Sequence, residues 1–288
     1  MSRFGSPREE VPMPKGGWSV LWSDKFKQAY KANYSTSASG RDRSRGQPVL
    51  ASTRTDGSAK AQAITYLDGV SHDPRALIFA GATRNQELMS VVKQNQAHEL
   101  LWQMPKTGEM FLLTGKMFIV CSSSLSGRFG SGPKNINLPD PLPVFPPGNP
   151  FPPTADDYWQ SERERLWKEL SPAYRASFTW PNPGDSKSDA ITQPMEQMKV
   201  QDRGSARNSL PAMSFDYKRT KLEIPSATSK ADEDTTLVYN MALDNFCLLI
   251  FRVLKVEHLS FASNDGVPQR QLYLPTRDGQ WSVESLNP

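Results

Sequence analysis

The segment Phe79-Ala-Gly-Ala-Thr-Arg-Asn85 reads as a strand end, a glycine turn and a helix start, and its residue types suit one chemistry, the holding of a phosphate. A helix N-terminus presents unpaired N–H groups and positive potential. Thr83 and Asn85 add hydroxyl and amide donors, and Arg84 adds a planar fork of N–H groups. Simple capping of the helix by Thr83 is the competing reading.

Other patterns fall away on inspection. His98-Glu99 begins like the HExxH of zinc proteases, but position 102 is Trp, so the second imidazole is missing. His72 and His258 stand in separate segments, and Cys121 and Cys247 alone cannot build a tetrathiolate site. Ser90-Val-Val-Lys93 fits SxxK by letters only, and no phosphate-binding or dinucleotide-binding glycine pattern is present. Asn33-Tyr34-Ser35 is a glycosylation sequon, which has meaning only in a secreted protein. Arg41, Arg43 and Arg45 alternate along a polar stretch that reads as a solvated loop, with an anion-binding arm as the alternative. No carboxylate or imidazole is distinguished by position as a general acid or base.

Composition narrows the partners. The 288 residues carry 34 Lys and Arg against 30 Asp and Glu, and a net +4 spread over so long a chain does not argue for nucleic acid. Apolar residues make up 37%, so part of the chain lies outside any core. Both cysteines sit inside apolar runs, as reduced buried thiols do. The longest apolar run, 246–251, is far short of the ~20 residues a membrane-spanning helix needs. With no apolar leader in 1–17, which reads as disordered, the expected location is the cytoplasm.

The elements that must position the turn follow from periodicity. Residues 18–33 carry Trp18, Trp22, Phe26 and Tyr30 at spacings of four, an amphipathic helix. Residues 48–54, 61–67, 76–80, 99–104 and 110–122 read as strands, with a helix at 83–95 and a hairpin turn at 106–108. Nine prolines fall within 133–153, which makes that stretch a linker or wrapping arm. Thr154 and Asp157 form a capping-box-like start to a helix over 154–170. Residues 188–234 show no sustained period and read as a largely disordered insertion, with a local fold possible only around Phe215 and Tyr217. Strand character returns at 245–258, 269–275 and 280–286. The whole predicts one mainly antiparallel β domain over 18–288 with peripheral helices, a small barrel rather than a parallel α/β sheet.

The order PVLASTR, DG, AQAITYL, ALIFAGATRNQE, ELLWQMPKTGEMFLLTG resembles the pyridoxamine 5'-phosphate oxidase-like FMN-binding split barrels. So do Leu166-Trp-Lys-Glu-Leu-Ser171, Arg175, Phe178-Thr-Trp-Pro-Asn-Pro-Gly184 and the closing Arg270, Tyr273, Trp281 and Leu286-Asn-Pro288. The resemblance implies a six-stranded antiparallel split barrel, a homodimer, and FMN between the subunits. By that resemblance Thr83, Arg84 and Asn85 hold the phosphate. Gln62, Ala63, Ile64 and Thr65 run along the flavin, and Arg270 approaches its ring.

The chain departs from the family pattern at Gln62, Leu67, Glu87 and Met110, where Arg, Arg or Lys, Lys and Gln are common. Glu87 would repel a phosphate, leaving Arg41, Arg43 or Lys60 to compensate. Gly266 and Pro268 replace the residues that hold pyridoxal phosphate, so vitamin B6 phosphates are not the expected substrates. Two functions follow: a flavin-dependent oxidoreductase of unknown substrate, or a non-catalytic dimeric binding module whose flavin site has degenerated. Trp102, Trp180 and Trp281 line a ligand pocket or fill the barrel core.

Overall fold

A computed structural model describes residues 20–34, 46–94, 97–130, 132–180, 224–225, 233–261, 266–277 and 279–288. The N-terminus expected to be disordered, the Arg41–Arg45 arm and most of the 188–234 insertion, Phe215 and Tyr217 included, lie outside these residues.

Alternation drives the strands. In β6 (Glu109–Val120), Phe111, Leu113, Met117 and Ile119 face one core, while Phe118 and Val120 turn to the other. The six-residue apolar run falls in β7 (Phe246–Ser260), and it is apolar throughout because both faces are buried. Phe246, Leu248 and Ile250 join one cluster, and Cys247, Leu249 and Phe251 the other.

These strands belong to a single nine-stranded antiparallel sheet rather than the six strands expected. Its path runs β2 (Ala59–Ala63), β1 (Val49–Thr53), β5 (Ala97–Met104), β6, β7, β4 (Asp73–Ala82), β3 (Thr65–Val70). Off β7 hang β8 (Gln269–Pro275) and β9 (Trp281–Leu286). The run predicted as one strand over 61–67 is two. It breaks at Ile64, and its halves end at opposite edges of the path, so β2 pairs with β1 and β3 with β4. The Ile64 N–H donates to Pro48 O at 3.1 Å and the Tyr66 N–H to Gly46 O at 3.0 Å, which carries the chain across the gap.

Helix α1 (Leu21–Asn33) covers one face with Trp22 and Phe26, packing edge-on against Trp281 and Trp102. Trp102 and Trp281 are therefore core. A single turn, α3 (Ser126–Phe129), follows β6, and the other face lies under α4 (Ala155–Glu169) and α5 (Pro172–Ser177), and under α6 (Glu233–Asn245), a helix the sequence reading did not contain. The capping box of α4 is present in full. Inside α4, buried Arg163 donates to Leu243 O (2.9 Å) and Phe246 O (3.2 Å), which pins the junction of α6 with β7. Among the described residues no helix is long and apolar enough to cross a membrane.

Candidate functional site

The turn picked out by its residue types sits where β4 ends and α2 (Gln86–Lys93) begins, beside the end of β2. Here the strands carry small residues, Ala63 on β2 and Ala80, Gly81 and Ala82 on β4, so the floor is backbone and methyl groups. Gly81 is required from behind. A Cβ there would lie 2.9 Å from both the Cys247 Sγ and the Leu249 Cγ. Above the floor a cleft of about 270 Å³ opens. Gln62, Ala63, Ile64, Thr65, Arg84 and Asn85, six of the eight residues expected at a cofactor, line it together.

The Gln62 Nε2 is buried and has no hydrogen-bond partner among the described residues. An orphaned buried donor costs ~1–3 kcal/mol, and one in a cleft wall fits an acceptor supplied from outside the protein. The Arg84 side chain donates from Nη1 to Thr179 O at 3.4 Å, and partial burial lowers its pKa from the ordinary guanidinium value. Asn85 is the N-cap of α2, its Oδ1 accepting from the Leu88 N–H at 3.0 Å.

Thr83 corrects the expectation. It is buried and absent from the cleft wall, because its hydroxyl donates to the Asn245 Oδ1 at 3.0 Å and its N–H to the Asn245 backbone O at 2.8 Å. It is not the helix cap either. Asn245 is the residue the sequence reading missed: it lines the cleft, accepts the Arg84 N–H at 2.9 Å, and donates from Nδ2 to Phe178 O. Only its place between an unrecognised helix and a long apolar strand could have suggested it. Trp180 stands at the rim, 46% exposed, so it alone of the three tryptophans faces a ligand-sized space here.

The departures look different in three dimensions. Glu87 is held by Arg54 (2.6 Å) and Lys60 (2.8 Å), which keep its carboxyl below the usual carboxylate range. Its charge is neutralised, and for the same reason Lys60 is already engaged. Leu67 belongs to the core under α4 and has no place in the cleft.

Arg270 does not line this cleft. It lies on β8 opposite Leu259 of β7 and forms an ion pair with Glu257. Leu259 and Phe246, the neighbour of Asn245, are thirteen residues apart on one strand, roughly 40 Å along its length. Met110 pairs with Leu259 at the same far end. That end also holds an imidazole–carboxylate pair: the His258 Nε2 lies 2.9 Å from the Glu109 Oε1, and the imidazole stacks on Phe111. Burial lowers the His258 pKa despite the neighbouring carboxylate.

No protein-family model matches the chain, and no curated protein does. Among solved structures, the chain is similar to a pyridoxamine 5'-phosphate oxidase-related, FMN-binding protein from Nostoc punctiforme, at 20% identity and a TM-score of 0.55, over 93% of this chain and 98% of that one. It is also similar to PhzG from Burkholderia lata, solved with tetrahydrophenazine-1-carboxylic acid, at 14% identity and a TM-score of 0.49, over 97% and 98% of the two chains. The Nostoc likeness shows a shared fold, the split barrel.

Proposed function

We propose that the chain binds FMN in the cleft between β2, β4 and α2, and acts as a flavin-dependent oxidoreductase on a substrate other than the vitamin B6 phosphates. What carries the reading is that Gln62, Arg84 and Asn85 meet in one cleft whose wall holds an orphaned amide donor. The Nostoc protein, whose fold this chain shares, is an FMN-binding protein, which supports the same cofactor.

The residues present fit the group. Arg84 would bind the phosphate, the Gln62 Nε2 would donate to an acceptor of the flavin, and the Ala63–Thr65 backbone would orient it. The Ala80–Gly81–Ala82 floor keeps water from beneath the ligand. Bound FMN supplies reversible acceptance of one or two electrons.

The cleft, at about 270 Å³, is smaller than the ~300–1,000 Å³ of sites that enclose a ligand by themselves. The Arg270 end of the same chain is too distant to close it. A second copy of the chain would complete the site, which makes a homodimer with one flavin per chain the matching assembly.

One observation favours the alternative, a dimeric binding module with a decayed flavin site. Arg84 is the one cation among the described residues lining the cleft. Titrating the purified chain with FMN and reading the visible spectrum separates the two. Saturable perturbation of the flavin bands, one per chain, supports the oxidoreductase reading, and an unperturbed spectrum at high FMN supports the module.

A further inference from the structure

The proline-rich arm takes no part in the cleft, and it is ordered at both ends. Ile136 is buried, and the Asn137 N–H donates at 3.1 Å to the Asp73 Oδ2, a fully buried carboxylate gripped by Arg75. At the other end Thr154 opens α4 through its capping box. Between these anchors the arm binds itself: the Asn149 Nδ2 donates to Phe145 O at 3.1 Å, and the Asn149 N–H to Pro146 O at 3.0 Å.

This frame holds Phe151 in water, 73% exposed, with its N–H tied to the Asn149 Oδ1 at 3.1 Å. Prolines stand at 150, 152 and 153. Their rings fix φ, and each proline restricts the residue before it to extended backbone. The chain is thus already committed to the narrow conformational range that proline-reading grooves select, and little ordering entropy remains to be lost on docking. Charge sets the partner's rim. Residues 135–162 contain no Lys or Arg, while Asp140 and Asp156 are exposed.

We infer that Phe151-Pro152-Pro153 is a docking motif for a proline-recognition domain of the EVH1 type, whose aromatic-lined groove takes Phe151 and whose basic rim faces Asp156. Grooves of the SH3 type pair a cation beside the prolines with an acidic rim, and this segment offers no cation.

The test titrates the full chain into an isotope-labelled EVH1-type domain, with an SH3-type domain in parallel, following amide shifts. Saturable shifts around the EVH1 groove are expected, with Phe151→Ala weakening binding by about tenfold or more. Val144→Ala, at another exposed apolar position of the arm, should leave binding unchanged, and neither variant should alter the melting temperature. Absence of EVH1 binding, binding by the SH3-type domain instead, or equal binding of Phe151→Ala overturns the proposal. So does a fall in the chain's own assembly mass on Phe151→Ala, since that would assign Phe151 to a contact between copies.

Discussion

The Asn245 Oδ1 accepts the backbone N–H of Arg84 at 2.9 Å, from 161 residues further along the chain. This bond, with the Thr83 hydroxyl on the same oxygen, fixes the direction in which the turn presents its guanidinium. Arg163 in turn fixes the backbone on either side of Asn245.

Asn245→Ala strips the partner from the Thr83 hydroxyl and the Arg84 N–H together. Leaving such groups unsatisfied costs ~1–3 kcal/mol each. The urea midpoint should fall with an unchanged slope, by an amount equal to at least ~2 kcal/mol, and FMN binding should weaken along with it.

Arg84→Ala tests the phosphate alone. A charge-assisted hydrogen bond is worth ~1.5–3 kcal/mol, so FMN affinity should drop about ten- to a hundredfold. Riboflavin, which has no phosphate, should bind the variant and the native chain alike in a fluorescence titration. Parallel losses for both flavins would place the phosphate elsewhere.

His98 is 2% exposed, and neither ring nitrogen has a hydrogen-bond partner among the described residues. Burial lowers its pKa below the ordinary 6.5. The folded state thus favours the neutral ring, and the unfolded state binds more protons as the solution acidifies. The His98 contribution to stability is in place above about pH 6.5 and lost as pH falls below that value toward the folded pKa. Buried His258 acts in the same direction. Denaturant midpoints between pH 7.5 and 5 should show the decline, and His98→Leu should flatten it.

Gly115 lies at the register shift between β6 and β7. A Cβ there would come within 2.3 Å of Arg252 O and 2.7 Å of the Phe251 ring. Because the first obstacle is backbone, Gly115→Ala must push the two central strands apart. Overpacking of this kind costs ~1–3 kcal/mol, visible as a lower melting temperature at undiminished flavin stoichiometry.

Much of the fold was legible in the chain itself. The alternation in 110–122, the two-sided apolar run at 246–251 and the Thr154–Asp157 capping box each state a local burial or a local hydrogen bond, and periodicity records such facts directly. Gly81 was expected in a turn but lies in β4 opposite Cys247, where close packing rather than a bend requires it. The helix at 233–245, with a weak amphipathic pattern, left no such record.

What only the tertiary structure decided is who meets whom. Nothing local marks the break at Ile64, since Ala, Ile, Thr and Tyr continue a strand pattern, and the break exists because β2 and β3 take opposite ends of the sheet path. Asn245 reached Thr83, Glu87 found Arg54 and Lys60, and Arg270 landed at the far end of β7 from Arg84 through strand order and register. A sequence specifies which side of an element is apolar. The pairing of distant elements is fixed only when all of those sides are buried at once.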